Sequence, residues 1–354
     1  MSYLHTLLSR EKIEAVERAP LYAGDRHPAW SALFLQQASP TDLLTRDAAD
    51  MLARLPDLRD AMRKTIERAA DLENVPDAAA ALAELRAFGS MIEAGIDVRP
   101  INAGGQHGAT PDFIVDAGDG PVTVEVHAKH EAGPQTELRQ AAADGKDVPG
   151  VERSSHDNGS HRVTFTTTVL HPGGAPDPEN PFDSVQANVI SKLCRVKSEE
   201  TQRREGVPSV LWLDLSHFGV MTHTLLEQTI PLVSGNIGLT SGAIWHAFYG
   251  WKGAPILEEG NRKRVNMGHD GRFRLSGTKK SPLAAVIVCF ESGLVLFENP
   301  WADIRLPHTF RRRCERLPWF KIGHSFADWS PGETEMLVGL AQKRITALAA
   351  ERHV

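Results

Sequence analysis

A chain of 354 residues exceeds the usual size of one compact domain, so one large or two moderate domains are expected. With 41% hydrophobic and 24% charged residues it falls in the ordinary globular range. A net charge of −6 excludes a protein that coats nucleic acid with its whole surface, while leaving room for a local basic groove.

The first 75 residues read as a helical N-terminal extension. TDLLTRDAADMLARLPDLRDAMRKTIERAADL carries apolar residues at three- and four-residue spacing, with a break at Pro56. The segment is either a recognition module or a helical cap on the core, and the cap is the expectation. DAAAALAELRAFGSMIEAG then reads as one helix ending at Gly95. At 100° per residue, Ala78, Ala81, Leu82, Leu85, Phe88 and Ile92 share a face, with Glu84 at its edge. Strands are expected at about 96–101, 112–117 and 121–127, the last two joined by a hairpin through AGDG.

Residues 131–182 are polar and rich in Gly, Pro and Ser, and read as a long loop or flap, with HRVTFTTTVLHP as an extra strand. A lid over a site and an insertion without function both fit. Next come a helix in DSVQANVISKLCRVKSEETQRR and a buried strand in GVPSVLWLDLS. The order helix, three strands, helix, strand is that of an α/β core around a mixed central sheet flanked by helices, here over residues 76–217. Residues 218–354 form a C-terminal α/β portion packed on the core. It has a short helix in TSGAIWHAFYG, a hairpin about ESG, and a terminal helix with Ser330 as N-cap, Pro331 at N1 and Glu333 at N3.

The three cysteines, Cys194, Cys289 and Cys314, fit no zinc or disulfide spacing and point to a reducing compartment. No apolar run reaches the length of a membrane span, and MSYLHTLLSREK lacks the basic-then-apolar order of a signal peptide. A cytoplasmic protein without membrane association is the expectation.

TPDFIVDAGDGPVTVEVHAKH, residues 110–130, carries the chemistry. Side chains alternate along a strand, so Glu125, His127 and Lys129 project to one side while Val122, Val124 and Val126 project to the other. The hairpin brings Asp112 towards the end of the neighbouring strand. With Glu84 from the preceding helix these residues would form a carboxylate pocket, whose hard oxygens suit Mg²⁺ or Mn²⁺ and phosphodiester hydrolysis.

The order of these residues resembles the PD-(D/E)XK nuclease superfamily, which has the restriction-endonuclease-like fold. Pro111-Asp112 matches the first element of the family pattern, Glu125 the acid of the second, and Glu84 the helical glutamate that frequently precedes them. The match spans roughly residues 78 to 215 and departs at the lysine, where His127 stands. The resemblance implies a metal-dependent DNA nuclease with Glu84, Asp112, Glu125 and His127 around the metal, and a homodimer as the family's usual assembly for cutting two strands. Lys129 can replace the lysine if the strand bulges, or Lys197 can do so from the following helix, where it falls within the apolar stripe of Val185, Val189, Ile190, Leu193 and Val196, with Lys192 nearer the edge. His127 can itself bind metal, which would favour Mn²⁺, or act as general base. A catalytically inactive protein that still binds nucleic acid is the alternative.

Other candidates are less specific. His107 lies in the loop leading to the motif strand and could reach the site, and Gln202 is a helix-end glutamine that could position substrate; basic runs at 261–264, 279–280 and 311–313 are phosphate contacts or solvated faces. Trp301, Trp319 and Trp329 are stacking platforms or core residues. The chain has no nucleophile elbow, P-loop, H-E-x-x-H or post-strand G-x-G-x-x-G, which disfavours other hydrolase chemistries.

Overall fold

A computed structural model describes residues 4–22, 24–35, 39–101, 110–130, 133–159, 161–171, 173–180, 183–194, 205–218, 243–256, 265–274, 281–322 and 331–351. Among the described residues the N-terminal region forms six helices: α1 (Leu4–Leu7), α2 (Arg10–Arg18), α3 (Trp30–Phe34), α4 (Pro40–Arg54), α5 (Pro56–Ala61) and α6 (Arg63–Arg68). Ser39 starts α4 through a reciprocal capping box with Asp42, and Pro56 separates α4 from α5 by occupying the first turn of the latter.

The helix expected after Ala78 begins slightly earlier, as α7 (Val75–Glu93), because Asn74 caps it by accepting a hydrogen bond from the Asp77 backbone. Ala78, Ala81, Leu82, Leu85 and Phe88 are buried, and Gly95 follows the helix end at φ 80°, a conformation that favours glycine. Gly89 lets α7 approach α4 closely, since a Cβ there would lie 2.5 Å from the Ala48 Cβ.

The central sheet has six strands in the order β1 (Asp97–Pro100), β2 (Phe113–Asp116), β3 (Pro121–Ala128), β6 (Ser209–Asp214), β9 (Leu283–Phe290), β10 (Gly293–Glu298). It is mixed. β3, β6 and β9 are mutually parallel, while β1, β2 and β10 extend the sheet by antiparallel pairing. The apolar runs of β6 and β9, and of β10 at the sheet edge, are buried along their whole length, which requires cover on both faces of the sheet. Val210, Trp212, Ala285 and Ile287 face a core shared with α4 and α7. Leu211, Leu213, Val286 and Val288 face a second core, made with α9 (Val185–Cys194) and α10 (Ala243–Tyr249). The C-terminal strands thus complete the same sheet that carries the motif strands.

The described residues of the 131–182 segment hold regular structure that its polarity does not suggest. They form α8 (Gly133–Ala143) and a hairpin of β4 (Val151–Asp157) with β5 (Arg162–Thr168). The alanine run and the Gln140–Asp144 hydrogen bond at 2.8 Å favour helix, and the β-branched VTFTTT favours strand. Two short strands, β7 (Pro255–Ile256) and β8 (Val265–Asn266), pair with each other, and α11 (His308–Cys314) and α12 (Pro331–Glu351) complete the described elements. Ser330 and the Glu333 side chain, expected to cap α12, lie outside the described residues. Among the described residues no helix is long and apolar enough to cross a membrane.

Candidate functional site

The hairpin register decides which acids meet. Phe113 lies opposite Val124 and Ile114 opposite Thr123, so one further step outward sets Asp112 opposite Glu125. Asp112 is held from both sides: its backbone carbonyl accepts from the Ile101 amide at 2.9 Å, and its Oδ2 accepts from the Val126 amide at 2.7 Å. The carboxylate therefore takes the place of a ladder acceptor where β2 begins.

On β3 the alternation follows expectation. Val122 and Val124 are fully buried on one face, while on the other Glu125 Oε1 lies 3.3 Å from His127 Nε2, each side chain 14% exposed. Burial, followed by the charges of Glu125 and Glu84, pushes the Asp112 carboxyl up to about 8; the Val126 amide and His127 work in the opposite direction but do not overcome these. Three acids from α7, β2 and β3 thus act on one another in a partly buried place.

Glu84 is the most engaged of them. Its Oε1 accepts from Arg68 Nη1 at 3.0 Å and its Oε2 from Thr65 Oγ1 at 2.9 Å. Arg68 also grips Asp77 with two hydrogen bonds, at 2.6 and 2.9 Å. Thr65 and Arg68 are partners that sequence reasoning missed, because a contact between α6 and α7 leaves no periodic or motif signal. Among the described residues no group of three or more His, Cys, Asp or Glu has the arrangement of a metal-ligand set.

Lys129 keeps its place one pleat beyond the acids. β3 pairs with β6 in unbroken register from Thr123 to Ala128, and the Lys129 amide continues the pairing to the Asp214 carbonyl at 2.9 Å, so no bulge draws Lys129 back towards Glu125. Lys129 is partly buried; burial and Arg272 lower its pKa, and Cys194 of α9 opposes them. Val189, Ile190 and Leu193 form the buried stripe of α9, and Lys192 lies over the Phe218 ring at 5.2 Å. Lys197, Val196, Gln202, His107, Trp329 and the basic runs at 261–264 and 279–280 lie outside the described residues.

The arginine run on α11 divides by role. Arg311 is buried and pairs with Glu298 at 2.6 Å, whereas Arg312 and Arg313 line a surface depression with Arg316. Trp301 packs partly buried beneath Arg274, whose guanidinium stands 4.3 Å from the ring centroid, and Trp319 is half exposed.

A second buried network ties the sheet to the helices. Arg86 of α7 donates to Asp214 at 2.9 Å, to Thr45 at 3.3 Å and to Ser216 at 3.0 Å. Burial alone would raise the Asp214 carboxyl, but Arg86, with a hydrogen bond from Ser216, holds it below the usual carboxylate value. Among protein-family models, curated proteins and solved structures, none matches this chain.

Proposed function

We propose that the chain is a metal-dependent nuclease that hydrolyses phosphodiester bonds in DNA, built on a restriction-endonuclease-like core with Asp112 and Glu125 as its central acids. The observation that carries this reading is the hairpin register that sets Asp112 opposite Glu125 in a partly buried place; burial and the two neighbouring acids raise the Asp112 carboxyl there, as a place that gains from a cation would. The donor set fits Mg²⁺ or Mn²⁺. Mg²⁺ commonly takes one or two protein carboxylates and keeps several waters, so two strand acids suffice even with Glu84 engaged by Arg68 and Thr65.

Asp112 and Glu125 would hold the ion, and His127 borders it. The chemistry gained there is Lewis acidity towards a phosphoryl oxygen and a water of lowered pKa. His127, 3.3 Å from Glu125 and partly buried, takes the proton from the attacking water in the role of general base. Glu84, fixed by α6, adds negative potential without needing to ligate. Lys129 supplies positive charge further along the same strand face.

A second reading, an inactive nuclease-fold protein that binds nucleic acid or serves as a scaffold, is favoured by the ion-paired Glu84 and by the burial of Lys129 within the field of Arg272. One experiment separates the two. Purified full-length chain is incubated with supercoiled, linear and single-stranded DNA in Mg²⁺, Mn²⁺ or chelator, alongside Asp112→Ala and His127→Ala. Metal-dependent cleavage lost in Asp112→Ala supports the nuclease. Cleavage undiminished in that variant removes the proposed site, and DNA binding without any cleavage promotes the second reading.

A further inference from the structure

The carboxyl ends of the parallel strands β3, β6 and β9 open onto a cavity of about 760 Å³. His130 follows β3, Ser216 and His217 follow β6, and Glu291 follows β9; the first turns of α7, one face of α8 and the segment around Arg26 complete the wall. In open α/β sheets the crevice beyond the carboxyl ends of the strands is where ligands bind. The cavity is distinct from the acid pair: His130 lies five residues beyond Glu125, roughly 16 Å along an extended strand.

The strand-end side of the cavity, its floor, carries two flat heterocycles. The His130 and His217 rings stack with centroids 6.5 Å apart and planes 17° from parallel. Burial lowers both imidazoles, and with Arg86 nearby it brings His217 down to about 3; this favours neutral rings, each with one N–H donor and one bare nitrogen acceptor. The floor is rigidly backed. Ser216 Oγ donates to Asp214 Oδ1 at 2.5 Å and accepts from Arg86, whose ion pair with Asp214 is buried. The rim carries both signs: Arg26 stands over the Trp30 ring at 4.9 Å, Arg139 pairs with Asp25, and Glu137 and Glu291 add two further carboxylates.

That combination selects among ligands. A simple anion would meet Asp25, Glu137 and Glu291, a simple cation would meet Arg26 and Arg139, and an apolar ligand would strand the imidazoles and Ser216. We propose that the cavity binds a nucleoside monophosphate unit, with its base stacked on the His130–His217 floor, its ribose hydroxyls towards the glutamates and its phosphate towards Arg26. Such a unit has a planar π-face, edges that both donate and accept, hydroxyls and one anionic group, and the volume lies within the range of small-molecule sites. The unit is either a free nucleotide or the terminal nucleotide of a strand, and the assignment stands apart from the cleavage chemistry at Asp112.

The test is isothermal titration calorimetry of the full-length chain in EDTA, which removes any contribution from a metal site. The ligands are the four nucleoside 5′-monophosphates, inorganic phosphate, and 5′-phosphorylated di- and hexanucleotides. The expected result is saturable binding of at least one monophosphate, with inorganic phosphate at least tenfold weaker. His130→Ala and the exposed-rim variant Arg26→Ala each weaken binding tenfold or more, with unchanged thermal unfolding in at least the rim variant. Tighter binding of the oligonucleotides identifies a strand end as the source, and tighter binding of the monophosphates identifies the free nucleotide. No binding by any nucleotide at millimolar concentration, phosphate binding as well as the monophosphates, or affinity unchanged in both variants would each overturn the assignment.

Discussion

Replacing Asp112 by Asn tests the electrostatic argument without reference to catalysis. The Asn amide oxygen can still accept from the Val126 amide, so the local ladder is kept while the charge is removed. The Asp112 carboxyl is displaced from an ordinary 3.8 to about 8 by burial and by Glu125 and Glu84. Because its folded-state value is raised, its contribution to stability is fully present below pH 4 and is lost as pH rises through 8. At about 1.4 kcal/mol per tenfold in proton affinity, the whole displacement amounts to roughly 5–6 kcal/mol. Neighbouring acids share that cost, so one substitution recovers about 2–3 kcal/mol of it at pH 8 and close to none near pH 4. Urea denaturation followed by far-ultraviolet circular dichroism at pH 4, 5, 6, 7 and 8 gives the difference between variant and wild type directly. A difference that does not change with pH refutes the reasoning, since it means that Asp112 ionises as readily in the folded chain as in the unfolded one. The same series with Mn²⁺ at tenfold its dissociation constant should stabilise the wild type by about 1.4 kcal/mol at pH 8 and leave Asp112→Asn unmoved.

Further outcomes follow from the geometry. Gly89→Ala should lower stability by about 1–3 kcal/mol in thermal melts, because overpacking against Ala48 exceeds the gain of about 1 kcal/mol in helix propensity; an unchanged or raised Tm counts against the α4–α7 contact. Arg86→Ala leaves Asp214 buried and unpaired and should cost about 3–5 kcal/mol, while the double change Arg86→Met with Asp214→Leu should recover most of it; equal losses in single and double variants would disprove the pairing argument. Glu84→Gln should reduce DNA cleavage less than tenfold, since Arg68 and Thr65 already occupy its oxygens, whereas Glu125→Gln should abolish it; the reverse order in a plasmid-nicking assay would make Glu84 the ligand and Glu125 the bystander.

The sequence by itself determined the periodic parts of this molecule. Hydrophobic spacing marks α7 and its buried face, alternation marks β3 with valines on one side and Glu125 and His127 on the other, and unbroken apolar runs mark β6 and β9, because 3.6-residue and two-residue repeats are written locally. The hairpin through AGDG is equally local, and it alone sets Asp112 across from Glu125. What runs between distant segments was decided only in three dimensions. Arg68 claims Glu84 across 16 residues and Arg86 claims Asp214 across 128, pairings fixed by how helices pack and invisible to any window along the chain. The same holds for the sheet, in which strands from the last quarter of the chain continue a surface begun near residue 97, and for the cavity where three strand ends meet. Burial converts these placements into chemistry: Asp112 becomes an unusual carboxyl because the folded chain removes water and brings two other acids near it.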